Sequence, residues 1–179
     1  MVVNSVMSYF SELCRAMERL AGNPRTIFMG QAVACPGTAM YRTLANVPKT
    51  KCIELPVAED MQLGMAIGAS LNGELPICIY PRINFLLLAM SQLVLHLDKL
   101  PLYSEYKPKV IIRTAIAHDD PLNPGVQHLG DYSNALYQML DTVFIDKLMF
   151  AEQVVPKYDN AMARNGSTLI VEYLGKYDE

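Results

Sequence analysis

No stretch of this chain carries five like charges, and the formal net charge is only −3. A protein whose main partner is nucleic acid shows a basic face, and none is visible. Long hydrophobic runs are also missing. The most apolar one, 85–97, is broken by Ser91, Gln92 and His96 and is too short to span a bilayer. The amino end is short and uncharged, with polar residues following at once, so no secretory signal is expected. There is no CxxC pair. Cys14, Cys35, Cys52 and Cys78 lie 17 to 26 residues apart, and only three histidines are available. A structural zinc site is therefore not expected; reduced, mostly buried thiols in a cytoplasmic protein are. Without a secretory signal, Asn165-Gly166-Ser167 reads as a turn rather than a glycosylation site.

The usual phosphate-binding motifs are absent too. No GxGxxG follows the first strand candidate, and GxxxxGK[ST] and GxSxG occur nowhere. Dinucleotide binding of the Rossmann kind, P-loop phosphate cradling and a serine nucleophile elbow have no support.

What is present is a core. Apolar residues make up 51% of the chain and charged residues 18%, which excludes a disordered segment. At about 150 residues per domain, 179 residues make one domain, 1–179. Helical periodicity marks 4–21, with Asn4 or Ser5 as its cap, then 59–71, 84–97, 132–140 and 150–164. Short β-branched or apolar runs mark strands at 26–29, 52–55, 76–80, 109–114, 142–145 and 168–173. The alternation predicts an α/β fold, three layers α/β/α, with a mostly parallel six-stranded sheet. The strands are nearly continuous apolar runs, as expected where helices cover both faces. In such sheets ligands bind beyond the carboxyl ends of the strands. Function should sit in 30–37, 56–60, 81–85, 115–131 and the carboxyl terminus.

Few polar groups compete there. Glu59 opens a helix directly after Leu55-Pro56-Val57-Ala58. Its place fits an acid favoured by the helix dipole. The apolar setting also desolvates the carboxyl, which suits it to holding and exchanging a proton. Gly64 and Gly68 lie four apart in the same helix. A helical glycine costs about 1 kcal/mol, so a close contact with the sheet or another subunit is expected to offset it. Tyr80 and Phe85 flank the next turn, as core aromatics or as part of a site. His128 sits in a loop rich in glycine and proline, as a solvated residue or as a catalyst. His118 beside Asp119-Asp120 has no evident third ligand, so no metal site is predicted.

One block ties these positions together: Leu55-Pro-Val-Ala-Glu-Asp-Met-Gln-Leu-Gly-Met-Ala-Ile-Gly-Ala-Ser-Leu-Asn-Gly73. It resembles the signature of the pyrimidine-binding domain of thiamine diphosphate enzymes. Transketolases and the beta subunits of 2-oxo acid dehydrogenases carry the most similar version. Pro76-Ile-Cys-Ile-Tyr80, Asn84-Phe85, Gly125-Val-Gln-His128 and the last strand continue the resemblance in order, over nearly the whole chain. The resemblance implies that Glu59 hydrogen-bonds the aminopyrimidine of the cofactor and favours the tautomer that removes the thiazolium proton. It implies that Phe85 stacks on the pyrimidine, and that His128 reaches substrate and intermediates.

The departures carry weight as well. The Gly-Asp-Gly motif that holds magnesium and diphosphate is missing; only Gly130-Asp131-Tyr132 comes near, in the wrong place. The resemblance therefore implies a partner subunit that supplies the diphosphate-binding domain and holds Mg2+, in an α2β2-type hetero-oligomer. The further carboxyl-terminal domain of the beta subunits is not seen. The loop after the first strand reads Gly30-Gln31-Ala32-Val33, without the acids of the beta subunits, and Leu129-Gly130 follows His128 where Ser-Gln is usual. The expected activity is cleavage or formation of a C–C bond next to a carbonyl, on a 2-oxo acid or a ketose. The alternative is a non-catalytic regulatory or binding protein that keeps the fold.

Overall fold

The computed structural model describes residues 7–119 and 123–178. Asn4, Ser5 and Asp120 lie outside them. Helix α1 (Tyr9–Ala21) starts one residue after Ser8, whose side chain accepts from Ser11 N while the Ser11 hydroxyl serves the Ser8 backbone. Strand β1 (Thr26–Gly30) is followed by the short α2 (Ala39–Arg42), β2 (Cys52–Glu54) and α3 (Glu59–Leu71). Then come β3 (Leu75–Tyr80), α4 (Ile83–Leu86), α5 (Leu100–Tyr103) and β4 (Ile111–Ile116). Helix α6 (Ser133–Met139), β5 (Phe144–Lys147), α7 (Ala151–Ala163) and β6 (Thr168–Tyr173) complete the order.

The six strands form one sheet in the order β2-β1-β3-β4-β6-β5, and every pairing is parallel. Successive residues alternate between two cores, as a pleated strand requires. Phe28, Ile77, Ile111 and Ile170 pack under α1 and α7. Met29, Cys78, Ile112 and Leu169 pack under α3 and the segment after β3. The result is the expected three-layer α/β/α fold.

Several expectations change: the cap of α1 is Ser8 rather than Asn4 or Ser5, and β4 runs Ile111–Ile116 rather than 109–114. The run 84–97 is not one α-helix: α4 passes through a 3-10 turn, Leu87–Ala89, into a π-helical turn, Ser91–Leu97. Leu86, Ala89, Leu93 and Leu97 are all buried, so the apolar spacing is kept while the winding changes. The wide turn closes with Asp98 N donating to Leu93 O and leaves the Asp98 carboxylate buried. That carboxylate accepts from the backbone N–H groups of Asp141, Thr142 and Val143. Those residues are thereby withdrawn from β5, which starts at Phe144 rather than 142. The thiols differ as well: only Cys78 is buried, Cys14 and Cys52 are half-buried, and Cys35 is exposed.

The helical glycines do not touch the sheet. A Cβ on Gly64 would meet the Gln92 side chain at 3.6 Å, and one on Gly68 would meet nothing within 4 Å. Met61, Met65 and Leu71 stand exposed on the same side of α3 as Gly68, so α3 presents an open apolar face.

Candidate functional site

The sheet order reverses at β1 and β3: the chain leaves β1 toward β2 and returns across it to β3. Beyond such a switch point the loops diverge and leave a crevice. Gly30 ends β1 with φ +148°, and a Cβ there would lie 2.3 Å from Ile79 O, so no other residue fits. The loop that follows is wrapped around an acid. The Glu54 carboxylate, from β2, accepts from the N–H groups of Ala32 (2.6 Å), Val33 (2.8 Å), Ala34 (2.7 Å) and Cys35 (3.2 Å). Burial opposes its charge, but these four bonds together hold Glu54 below the usual carboxylate range. An acid does stand beside this loop, then, although the loop sequence has none. It arrives from the neighbouring strand and is engaged by the backbone.

The start of α3 is locked to the end of β3. Tyr80 Oη donates to Glu59 O at 2.8 Å, and Gln62 Nε2 donates to Ile79 O at 2.8 Å. Burial pushes the Tyr80 phenol far up, so it remains a donor. Ala58 at the N-cap supplies no side-chain acceptor, which leaves the first N–H groups of the helix uncapped. Glu59 itself is 6% exposed. No donor among the described residues hydrogen-bonds its carboxylate.

Phe85 and His128 meet, although 43 positions apart in the sequence. Their ring centroids lie 5.5 Å apart at 60°, edge to face. His128 is carried by a 3-10 turn, Val126–His128, that Gly125 enters at φ +91°. Three polar atoms around the crevice are buried without a hydrogen-bond partner: Gln31 Nε2, Asn84 Oδ1 and His128 Nδ1. Each such atom costs about 1–3 kcal/mol unless something satisfies it. His118 Nδ1 lies 3.4 Å from Asp119 Oδ1, both side chains exposed, and Asp120 is outside the described residues.

Over the switch point lies a cavity of about 770 Å³, lined by Gln31 from the loop after β1 and by Pro81, Arg82 and Phe85 after β3. Glu59 and His128 are not among its lining residues. Tyr177 lines it too and anchors it from below. The Tyr177 and Tyr158 hydroxyls donate to the Glu172 carboxylate, which pairs with Arg113 through Nε (2.6 Å) and Nη2 (2.9 Å). Arg113 and Glu172 are fully buried. Sequence reasoning missed this pair, although opposite charges inside two apolar strands were the available signal. Glu54, Arg82 and Asp98 were missed for want of any signal: nothing local distinguishes them from surface charges.

No family model matches the chain, and no curated protein matches it in sequence. Among solved structures it is similar in fold to a split-gene transketolase, solved as an inactive beta4 tetramer. The TM-score is 0.63 at 18% identity, over 92% of this chain and 50% of the other. The chain thus has a transketolase-like fold and spans half the length of that neighbour.

Proposed function

We propose that this chain is the pyrimidine-binding subunit of a split thiamine diphosphate enzyme, with 1–179 as its pyrimidine-binding domain. The observation that carries the reading is Glu59: a residue only 6% exposed whose carboxylate accepts no hydrogen bond from the described residues, its backbone carbonyl held by Tyr80 at the start of α3. Such a group fits the cofactor's aminopyrimidine ring. Its carboxylate, not engaged by any described donor, is open to a hydrogen bond from a ligand. Phe85 supplies an aromatic face for that ring. His128, in edge-to-face contact with Phe85 and with Nδ1 unpartnered, fits a contact to substrate. When bound, thiamine diphosphate supplies the chemistry of cleaving or forming a C–C bond next to a carbonyl, on a 2-oxo acid or a ketose. In this division of labour Glu59 holds and exchanges a proton at its carboxyl oxygens, Phe85 orients, and the apolar surroundings exclude water.

In this reading Mg2+ and the diphosphate are held outside 1–179, where no Gly-Asp-Gly motif occurs. The neighbour's description as a split-gene subunit in a tetramer, and the open apolar face of α3, support assembly with other chains. No single helix among the described residues is long and apolar enough to cross a membrane; a cytoplasmic setting is part of the proposal. The neighbour is described as inactive, which gives weight to a second reading: a binding or regulatory protein that keeps the fold. Calorimetric titration of thiamine diphosphate with Mg2+ into the chain, alone and with its co-purifying partner, separates the two. The split-site reading expects binding with the partner only. No binding in either case favours the second reading, and tight binding to the lone chain would contradict the split.

A further inference from the structure

Asn165-Gly166 forms the turn between α7 and β6, at the amino end of the sheet and opposite the crevice. Asn165 is exposed. Gly166 follows at φ +139°, a conformation that glycine adopts without strain. Having no side chain, Gly166 leaves its own amide nitrogen open to approach. Neither Asn165 N–H nor Gly166 N–H donates a hydrogen bond among the described residues. The chain is anchored just beyond. The Ser167 hydroxyl donates to Pro108 O at 2.8 Å and accepts from Val110 N at 3.1 Å, and Ser167 O accepts from Phe144 N.

A second pair, Asn72-Gly73, has the same local chemistry and is also exposed. Its backbone is engaged. Gly73 N donates to Ser70 O at 3.0 Å, and Asn72 N lies 3.1 Å from both Gly68 O and Ala69 O, closing α3. An amide proton committed to a carbonyl is harder to lose, and a backbone held at a helix end is less free to fold onto its own side chain.

We propose that Asn165 is a site of spontaneous covalent modification, deamidation through a cyclic imide, which the fold selects over Asn72. The Gly166 nitrogen gives its proton to solvent and attacks Asn165 Cγ. A new C–N bond forms, the bond from Cγ to Nδ2 breaks, and ammonia leaves. Water then opens the imide at either carbonyl, giving aspartate or isoaspartate. A hollow of about 260 Å³, bordered by Asn165, Gly166 and Thr142, admits that water. No oxidant or reductant takes part, and residue 165 gains a negative charge. The isoaspartyl product adds a methylene to the main chain directly before the anchored Ser167, so modification strains the turn and lowers stability. The site is independent of the enzymatic reading above.

The test is incubation of the folded chain in mildly alkaline buffer at body temperature, followed by mass measurement and fragmentation of its peptides. The peptide holding Asn165 should gain about 1 Da and split into aspartyl and isoaspartyl forms. It should do so at least about fivefold faster than the Asn72 peptide, the order set by one retained hydrogen bond. In chain unfolded by urea the two rates should converge to within about twofold, because neither turn persists. No mass gain at Asn165, comparable rates in the folded chain, or a difference that survives in urea would overturn the proposal. N165Q should keep its urea midpoint through the same incubation while that of the wild-type chain falls. An undiminished wild-type midpoint after modification would overturn the strain assigned to the turn.

Discussion

His128 and Phe85 meet edge to face, with ring centroids 5.5 Å apart, so a loop after β4 and a turn after β3 converge on one point of the crevice. The two residues should separate in kinetics. H128A should slow substrate-dependent steps and leave cofactor affinity within a few-fold. F85A should weaken cofactor binding by about tenfold, the order expected when an aromatic contact is removed. Rapid-mixing measurements on the reconstituted complex distinguish the two. Equal effects of both variants on cofactor binding would contradict the separation of roles.

Arg113 and Glu172 should behave as one buried unit. Removing only the cation leaves the Glu172 carboxylate buried with Tyr158 and Tyr177 as its remaining donors. R113M should therefore cost about 3–5 kcal/mol in urea unfolding. The double variant R113M/E172Q should recover part of that loss, because no unpaired charge remains. A loss under about 1 kcal/mol for R113M would show that the pair is not needed to hold the sheet.

Acid should act through Asp98. Burial opposes its charge, but the N–H of Asp141, the Lys99 ammonium and the N–H groups of Thr142 and Val143 together hold it below its ordinary 3.8. The unfolded chain then takes up the proton first as pH falls. The stabilisation is complete above 3.8 and is lost as pH drops through the lower folded-state value. D98N should be less stable than wild type at pH 7, and its stability should fall less steeply below pH 4. Urea midpoints across that range check the sign. Parallel profiles for the two proteins would exclude Asp98 as a source of acid sensitivity.

The alternation of apolar strands and helices made the layered fold legible, and α3 and β6 have the bounds that periodicity predicts, because nothing competes with packing there. Departures occur where a side chain captures backbone. Asp98 takes three N–H groups and delays β5, and Glu54 takes four and shapes the loop after β1. Apolar spacing does not distinguish an α-turn from a π-turn, so 84–97 read as one helix. Phe85 and His128 were legible as candidates from their turn and loop and from the order of motifs; their contact depends on the switch point, which single segments do not reveal. Gln31 and Arg82 lie in the segments 30–37 and 81–85 marked by the strand ends, but a loop donor is not distinguished from its neighbours until the loops are placed.

The most direct measurement of the central claim is turnover of the reconstituted complex with E59Q. Glutamine keeps the shape at the start of α3, and Tyr80 still donates to the residue-59 carbonyl, so folding should be intact by circular dichroism and thermal unfolding. On the proposed role of Glu59, loss of its carboxyl should lower turnover by about 10²–10⁴-fold. Turnover within a few-fold of wild type would contradict the assignment of Glu59 and, with it, the enzymatic reading of this fold.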